Sequence, residues 1–327
     1  VSDLPTPPDT APRATVVIAA WNAEGTILRA VDAALAQTVP VEVVVVDDAS
    51  TDGTAARVEE RAQDAPNLRL LRQPANAGPA AARNRAIDES GAPWIAVLDS
   101  DDTMAPDRLE RLIARAEAEG LDFLADDIEK VSEDALDGPR SRLYSDEAIG
   151  EIDVDAAAFI RANLPSRRAG QRREMGFLKP VMRRAFLDGH GLRYADLRLG
   201  EDYELYTRAL ILGGRFRLTD PRGYLAVVRP GSLSGKHPTE AHAAVMAADQ
   251  ALMSLPQVDT ATRKALREHY LEEHKRWSWR RMIDAGRARD PRAMAACFRA
   301  PLPVAADLTR RLGNDMLERL RGEHRSG

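Results

Sequence analysis

Cysteine is almost absent from this chain. The single Cys297 leaves no partner for an intramolecular disulfide and suits a reducing, cytoplasmic compartment. Long apolar runs are missing as well: none approaches the roughly 18–20 residues of a membrane-spanning helix. Nothing at the start reads as a signal peptide, though a chain opening on Val1 leaves open what precedes it. There is no surplus of positive charge either. The net charge is −5, whereas a nucleic-acid partner usually calls for a concentrated basic face, so none is expected. Internal repeats and low-complexity tracts are also lacking. What remains is a 327-residue chain of globular, soluble composition, 44% hydrophobic and 30% charged. That length accommodates one large domain or two ordinary ones with a sizeable core.

Residues 1–13, rich in Pro, Asp and Thr, read as a flexible arm. From residue 14 to about 127, β-like and α-like stretches alternate. Strands are expected at 16–20, 41–46, 68–71 and 95–98, the second a continuous β-branched run of the kind buried on both faces of a parallel sheet. Helices are expected after Ile27, over 55–62, from Pro79, and after Pro106, where Leu109, Leu112, Ile113 and Ala116 share a face. This alternation predicts an α/β fold with a mostly parallel sheet, whose ligands bind beyond the carboxyl ends of the strands. Residues 131–175 lose the rhythm. A helix is expected over 202–212, stopped by Gly213-Gly214, followed by a closing pair of strands at 216–218 and 224–228. From about His237 onward the chain reads as mostly helical.

Four phrases carry chemistry. Residues 94–102 deliver Asp99, Asp101 and Asp102 to the exit of a buried strand, where three carboxylates repel one another unless a cation sits among them. Hard divalent ions suit such oxygen ligands, with substrate phosphates completing the shell; the competing explanation is an acidic turn capping the next helix. Residues 46–52 place Asp47 and Asp48 after the β-branched strand, where a carboxylate can accept the N–H of a uracil ring, or where Ser50, Thr51 or Asp52 simply cap a helix. In the stretch 76–84, Gly78 and Pro79 make a tight entry to a helix that projects Arg83, a group for phosphate or base, or else a solvated arginine. Finally, Gly200-Glu201-Asp202-Tyr203 opens a helix with carboxylates whose ionised form the dipole favours, as a base or as an ordinary cap.

Taken in order, these phrases, with Ala20-Trp21-Asn22-Ala23-Glu24 at the exit of the first strand, resemble a family 2 glycosyltransferase with the GT-A fold over about residues 14–235. The Lys179-Pro180, His190-to-Tyr194 and Gly200-Glu201-Asp202-Tyr203 stretches resemble bacterial exopolysaccharide glycosyltransferases of the succinoglycan type. The resemblance implies a nucleotide-sugar half over 14–127, an acceptor half over 128–235 and a helical C-terminal region over 236–327. It implies that Ala20, Asn22, Glu24, Asp47 or Asp48, and Gly78 hold the nucleotide, with Arg83 beside the base or diphosphate. The family's Asp-x-Asp signature falls on Asp99-Ser100-Asp101, with Asp101 as the leading ligand to Mn²⁺ or Mg²⁺, Asp99 beside it, and Asp102 assisting or capping. Asp202 matches the general base and Glu201 the residue that positions the acceptor. The implied reaction is inverting transfer from a nucleotide sugar, UDP-linked by preference, to a glycan or lipid-linked acceptor in exopolysaccharide synthesis.

Two departures stand out. The family's usual His after the last strand is replaced by Arg229 and then Lys236-His237, so the third contact to metal or diphosphate is open among these. Trp21 stands where a Tyr is usual. Basic residues at 263–289 interleaved with Trp277 and Trp279 read either as a membrane-surface helix or as a helix packing on the catalytic domain or a second subunit of a homodimer. The cluster of Arg167, Arg168, Arg172 and Arg173 is a possible site for the acceptor's pyrophosphate, with a solvated loop as the alternative. A sugar nucleotidyltransferase would need a Gly-rich basic loop after the first strand, which residues 21–25 do not offer. A non-catalytic nucleotide-sugar-binding subunit would not need Asp99, Asp101 and Asp202.

Overall fold

The computed structural model describes residues 11–165, 174–229 and 237–320; the Arg167–Arg173 cluster and Lys236 lie outside them. The chain divides into two compact units, Val1–Ser232 and Leu233–Gly327.

The first unit begins with the expected alternation: β1 (Ala14–Ala20), α1 (Ile27–Leu35), β2 (Val41–Asp47), α2 (Thr54–Ala62), β3 (Leu68–Arg72), α3 (Pro79–Asp88) and β4 (Trp94–Val97). Then come β5 (Thr103–Met104), α4 (Arg108–Glu119), β6 (Phe123–Asp126), β7 (Glu129–Ser132), β8 (Ser141–Arg142), β9 (Glu151–Val154) and α5 (Ala156–Ala162). The unit ends with β10 (Val181–Arg183), α6 (Arg184–Gly189), α7 (Glu201–Ile211), β11 (Phe216–Thr219) and β12 (Tyr224–Val228).

Eight strands form the main sheet in the order β3-β2-β1-β4-β10-β6-β11-β9. The β1, β2, β3 and β4 pairings are parallel, as is β6 with β11, so the fold is α/β with a mostly parallel sheet. Val43–Val46 of β2 are wholly buried, which is why that strand reads as an unbroken β-branched run. β10 runs antiparallel between β4 and β6. Its first residues therefore lie at the edge where β1, β2, β4 and β6 end, and this reversal brings Lys179 to that edge. Behind the sheet's second half, Phe123 stacks on Phe216 at 5.8 Å, with Phe159, Phe186 and Tyr206 around them; such pairs contribute about 0.5–1.5 kcal/mol each beyond burial.

Two expectations are corrected. Residues 216–218 and 224–228 do not pair with each other. β11 joins the main sheet between β6 and β9, whereas β12 joins a second sheet ordered β5-β12-β7-β8. The buried Asp126 carboxylate turns the chain between them by accepting the backbone N–H groups of Arg222 at 3.0 Å and Tyr224 at 3.3 Å. The stretch 131–175 is also not without order: it supplies β8, the edge strand β9, and α5, capped by Asp155 accepting from the Ala158 N–H at 2.7 Å.

The second unit consists, over its described residues, of α8 (Thr239–Met253), α9 (Thr260–Arg287), α10 (Pro291–Ala296) and α11 (Leu302–Leu320). Two buried pairs tie α8 to α9: His242 with Glu273 and His269 with Asp249, each at 2.8 Å. Trp279 packs against Met282, Cys297 and Leu308, and Trp277 lies under the Arg281 guanidinium at 4.6 Å. The tryptophans thus make contacts within their own unit. No described helix is long and apolar enough to cross a membrane.

Candidate active site

The exit loops of β1 and β2 are laced together. Asn22 donates its backbone N–H to Ser50 Oγ at 2.9 Å and accepts from the Thr51 N–H at 2.8 Å through Oδ1. Glu24 accepts from the Gly53 N–H at 3.1 Å, and Ala23 donates to Thr54 Oγ1 at 2.8 Å. These contacts join and shape the two loops. Asn22 and Ala49 sit at positive φ, 48° and 60°, a conformation that costs a non-glycine residue roughly 1–2 kcal/mol. Ala20 is buried and its carbonyl accepts the Asp48 N–H at 2.8 Å. Trp21 is half exposed at this exit.

The structure separates Asp47 from Asp48. Both Asp48 oxygens are taken, Oδ1 by Gln73 Nε2 at 2.7 Å and the Ala77 N–H at 2.8 Å, Oδ2 by the Gly78 N–H at 2.7 Å. Its work is to hold the turn that starts α3. Gly78 takes φ +91°, which a side chain would resist, and an added Cβ would press on Arg198 at 3.2 Å. Asp47, equally buried, keeps Oδ1 without any hydrogen-bond donor. A buried acceptor without a donor is costly, and a ligand N–H relieves that cost.

Arg83 is neither a surface arginine nor a free phosphate grip. It is 5% exposed and lies 5.4 Å from the Tyr194 ring centroid. Its guanidinium donates to Asp99 Oδ1 at 2.9 Å, Glu201 Oε1 at 2.9 Å and Asp202 Oδ1 at 3.1 Å. Lys179, also buried, completes the group: its Nζ lies 2.7 Å from Asp202 Oδ2 and 3.3 Å from Asp99 Oδ2. The carboxylates at the exit of β4 and at the start of α7 therefore share one cluster. Gly200, at φ 75°, forms the left-handed entry that lets α7 begin with Glu201 and Asp202 there. Removal from water opposes charge at Asp99, yet Lys179 and Arg83 outweigh it and hold that carboxyl below its ordinary range. Burial and the neighbouring Asp202 charge push Glu201 upward. Burial alone would lower Arg83 and Lys179, but the carboxylates hold both cations above their usual values.

Beyond β4, Ser100 is half-buried, and Asp101 is fixed from two sides: Arg29 donates to its carbonyl at 2.6 Å and Arg229 Nη2 meets its Oδ2 at 2.7 Å. Asp102 does not cap α4. Its oxygens accept from the Tyr224 hydroxyl at 2.8 Å and the Val227 N–H at 2.9 Å, fastening β12 beside the site. Burial, then the charges of Asp99 and Asp101, push its carboxyl up to about 7. Of the residues considered for a third contact, Arg229 reaches Asp101, whereas His237 belongs to the helical unit and packs on His242. Among the described residues no group of three or more His, Cys, Asp or Glu side chains is arranged to hold a metal ion. Asp101 and Asp99 offer two partly exposed carboxylates, which suits an ion that takes its remaining ligands from a diphosphate and water. Among the described residues, Asp99, Asp101, Glu201 and Asp202 pair with Arg83, Lys179 and Arg229.

The site missed in sequence was Lys179. The Lys179-Pro180 pair stood out there, but nothing in its spacing said that a reversed strand would carry the lysine to the acidic cluster.

Residues 15–182 match the family model for glycosyl transferase family 2. The succinoglycan biosynthesis protein ExoU of Rhizobium meliloti (strain 1021) is 42% identical over 270 residues, covering 82% of this chain and 78% of that protein. ExoO of the same organism is 41% identical over 259 residues, covering 78% and 72%. Among solved structures, S. aureus TarS 1-349 in complex with UDP-GlcNAc is similar with a TM-score of 0.61 at 18% identity, covering 87% of this chain and 90% of that one. The mannosyltransferase PcManGT of Pyrobaculum calidifontis, in complex with GDP-Man and Mn²⁺, gives 0.54 at 20% identity, covering 97% and 85%. These structures share its GT-A fold, an α/β sheet of mostly parallel strands. On the family match and on relatives above 40% identity over most of its length, this chain belongs to glycosyl transferase family 2.

Proposed function

We propose that the enzyme moves a sugar from a nucleotide diphosphate donor, a UDP-sugar, to a hydroxyl of a glycan or lipid-linked acceptor, inverting the anomeric centre. The exopolysaccharide setting comes from the names of its relatives ExoU and ExoO. The observation that carries the reading is the joining of Asp99 and Asp202 through Arg83 and Lys179: donor-side and acceptor-side carboxylates occupy one centre.

Asp202 takes the proton of the acceptor hydroxyl while that oxygen forms its bond to the anomeric carbon from the face opposite the leaving group. The carbon–oxygen bond to the diphosphate breaks in the same displacement, and the nucleotide diphosphate leaves with the electron pair. A single displacement inverts the centre, so an α-linked donor gives a β-linked product. Asp101 with Asp99 would hold Mg²⁺ or Mn²⁺, which when bound supplies charge neutralisation for the departing diphosphate. Arg229, paired with Asp101 at 2.7 Å, is a cation of the chain's own beside that position. Asp47 Oδ1 is the acceptor for the base N–H, and Asp48 keeps the neighbouring turn in shape.

A thermal-shift screen of UDP-, GDP- and dTDP-sugars with and without Mn²⁺ or Mg²⁺ tests this. A UDP-sugar plus metal is expected to raise the melting temperature, since ligand at 100 times its Kd adds about 2.7 kcal/mol. If no nucleotide stabilises the protein in a metal-dependent way, the reading fails. Asp47→Ala is expected to weaken UDP binding about tenfold or more by calorimetry, the worth of a hydrogen bond to a charged group. Unchanged UDP affinity would remove Asp47 from the base site.

A further inference from the structure

We infer that Lys179 is a positioning residue for proton transfer, holding the base Asp202 and the donor-side Asp99 in fixed planes. This rests on the reading of Asp202 as the base.

The contacts form a closed ring of four groups. Arg83 grips Asp99 Oδ1 and Asp202 Oδ1, while Lys179 grips Asp99 Oδ2 and Asp202 Oδ2. Each carboxylate is thus held by one cation at each oxygen, so neither can rotate about its Cβ–Cγ bond without losing a charge-assisted contact. Arg83 also serves Glu201, whereas the two ring carboxylates are the ionic partners found for Lys179. The lysine is itself anchored. Its carbonyl accepts from Arg108 Nη2 at 2.6 Å, and Arg108 is locked, fully buried, on Asp126. Pro180 follows and restricts the backbone before β10 begins. The same Arg108 lies over the Tyr224 ring at 5.1 Å, and the Tyr224 oxygen accepts the Asp99 N–H at 3.2 Å. One buried arginine therefore secures both the lysine and the main chain of Asp99.

Without Lys179, Arg83 alone would face three carboxylates, and Asp202 would be tethered through one oxygen. Productive alignment would be lost while the base-binding side, built on Asp47, stays intact. The experiment compares Lys179→Met and Lys179→Arg in the full chain, using the nucleotide sugar identified by the thermal-shift screen and UDP with Mn²⁺ as the binding probe. Lys179→Met is expected to lower kcat by about 100-fold, within the range of misplacing a proton-transfer group. The donor KM and the UDP dissociation constant should stay within about threefold of the parent, the pattern of an interaction used only in the transition state. Lys179→Arg should recover at least about tenfold of the lost kcat by returning the charge. If circular dichroism shows that Lys179→Met does not fold, Lys179→Gln is read in its place. The proposal is overturned by a parental kcat in the folded variant, by an equal loss of UDP affinity, or by Lys179→Arg performing no better than Lys179→Met. Asp202→Asn run in parallel separates the two ideas. If it is inactive while Lys179→Met is active, only the positioning role fails; if it is active, the base assignment fails.

Discussion

Asp202→Asn is expected to cut sugar transfer by about 10³-fold, inside the 10²–10⁴ range for removing a general base, while UDP affinity stays near the parent's. The amide is isosteric but cannot take the hydroxyl proton. Stability is expected to fall, because both Asp202 oxygens accept from buried cations, Arg83 and Lys179, and the amide nitrogen would face one of them. Donor binding should be spared because Asp47 and Asp101 hold none of these contacts and Asp99 keeps its own, to Arg83 and Lys179. Glu201 is poorly placed to substitute, since Arg83 holds one of its oxygens. Product formation under saturating donor, with calorimetric UDP titration alongside, gives the answer. Transfer within tenfold of the parent would remove Asp202 as the base; a parallel collapse of UDP affinity would make it a structural residue.

Much of residues 14–127 was legible because the signals there are local. A β-branched run such as Val43–Val46 is informative wherever it occurs, since burial on both faces of a strand leaves no polar position. The helix entries at Gly78 and Gly200 likewise need residues that tolerate positive φ, and these are visible one letter at a time. What stayed hidden depends on partners far apart in the chain. β5 and β8 are two residues each, too short to show any period, so the second sheet could not be anticipated. Asp47 and Asp48 are adjacent and chemically identical; only the donors from Gln73, Ala77 and Gly78 tell them apart. Arg83 resembled any surface arginine on an amphipathic helix until the exit of β4 and the start of α7 closed over it. The antiparallel insertion of β10 is a property of the sheet, and it alone decides that Lys179 faces the carboxylates.

The other large effect is expected at Arg108, outside the chemistry. Arg108 and Asp126 are both fully buried and paired at 2.6 Å. Removing one member of such a pair typically costs about 3–5 kcal/mol, because the survivor is left as an uncompensated charge. Arg108→Met should show that loss and lower the melting temperature by about 10 °C, given roughly 2–4 °C per kcal/mol for a unit of this size. Asp126 would retain only the N–H groups of Arg222 and Tyr224, and the Lys179 carbonyl would lose its donor. The pair is not optimal in itself: Arg108 Nη1 has no hydrogen-bond partner. Replacing both members, Arg108→Met with Asp126→Leu, should therefore recover part of the stability lost by the single change. Catalysis should not recover with it, because Lys179 and Tyr224 would still lack the guanidinium that fixes them. Urea midpoints for the parent, both single variants and the double variant measure the coupling, and kcat on the same four proteins measures the alignment. A single variant within about 1 kcal/mol of the parent, the ordinary scale of a surface change, would mean the buried pair does not hold this edge of the sheet. If kcat returned with stability in the double variant, Arg108 would act on the site only through folding.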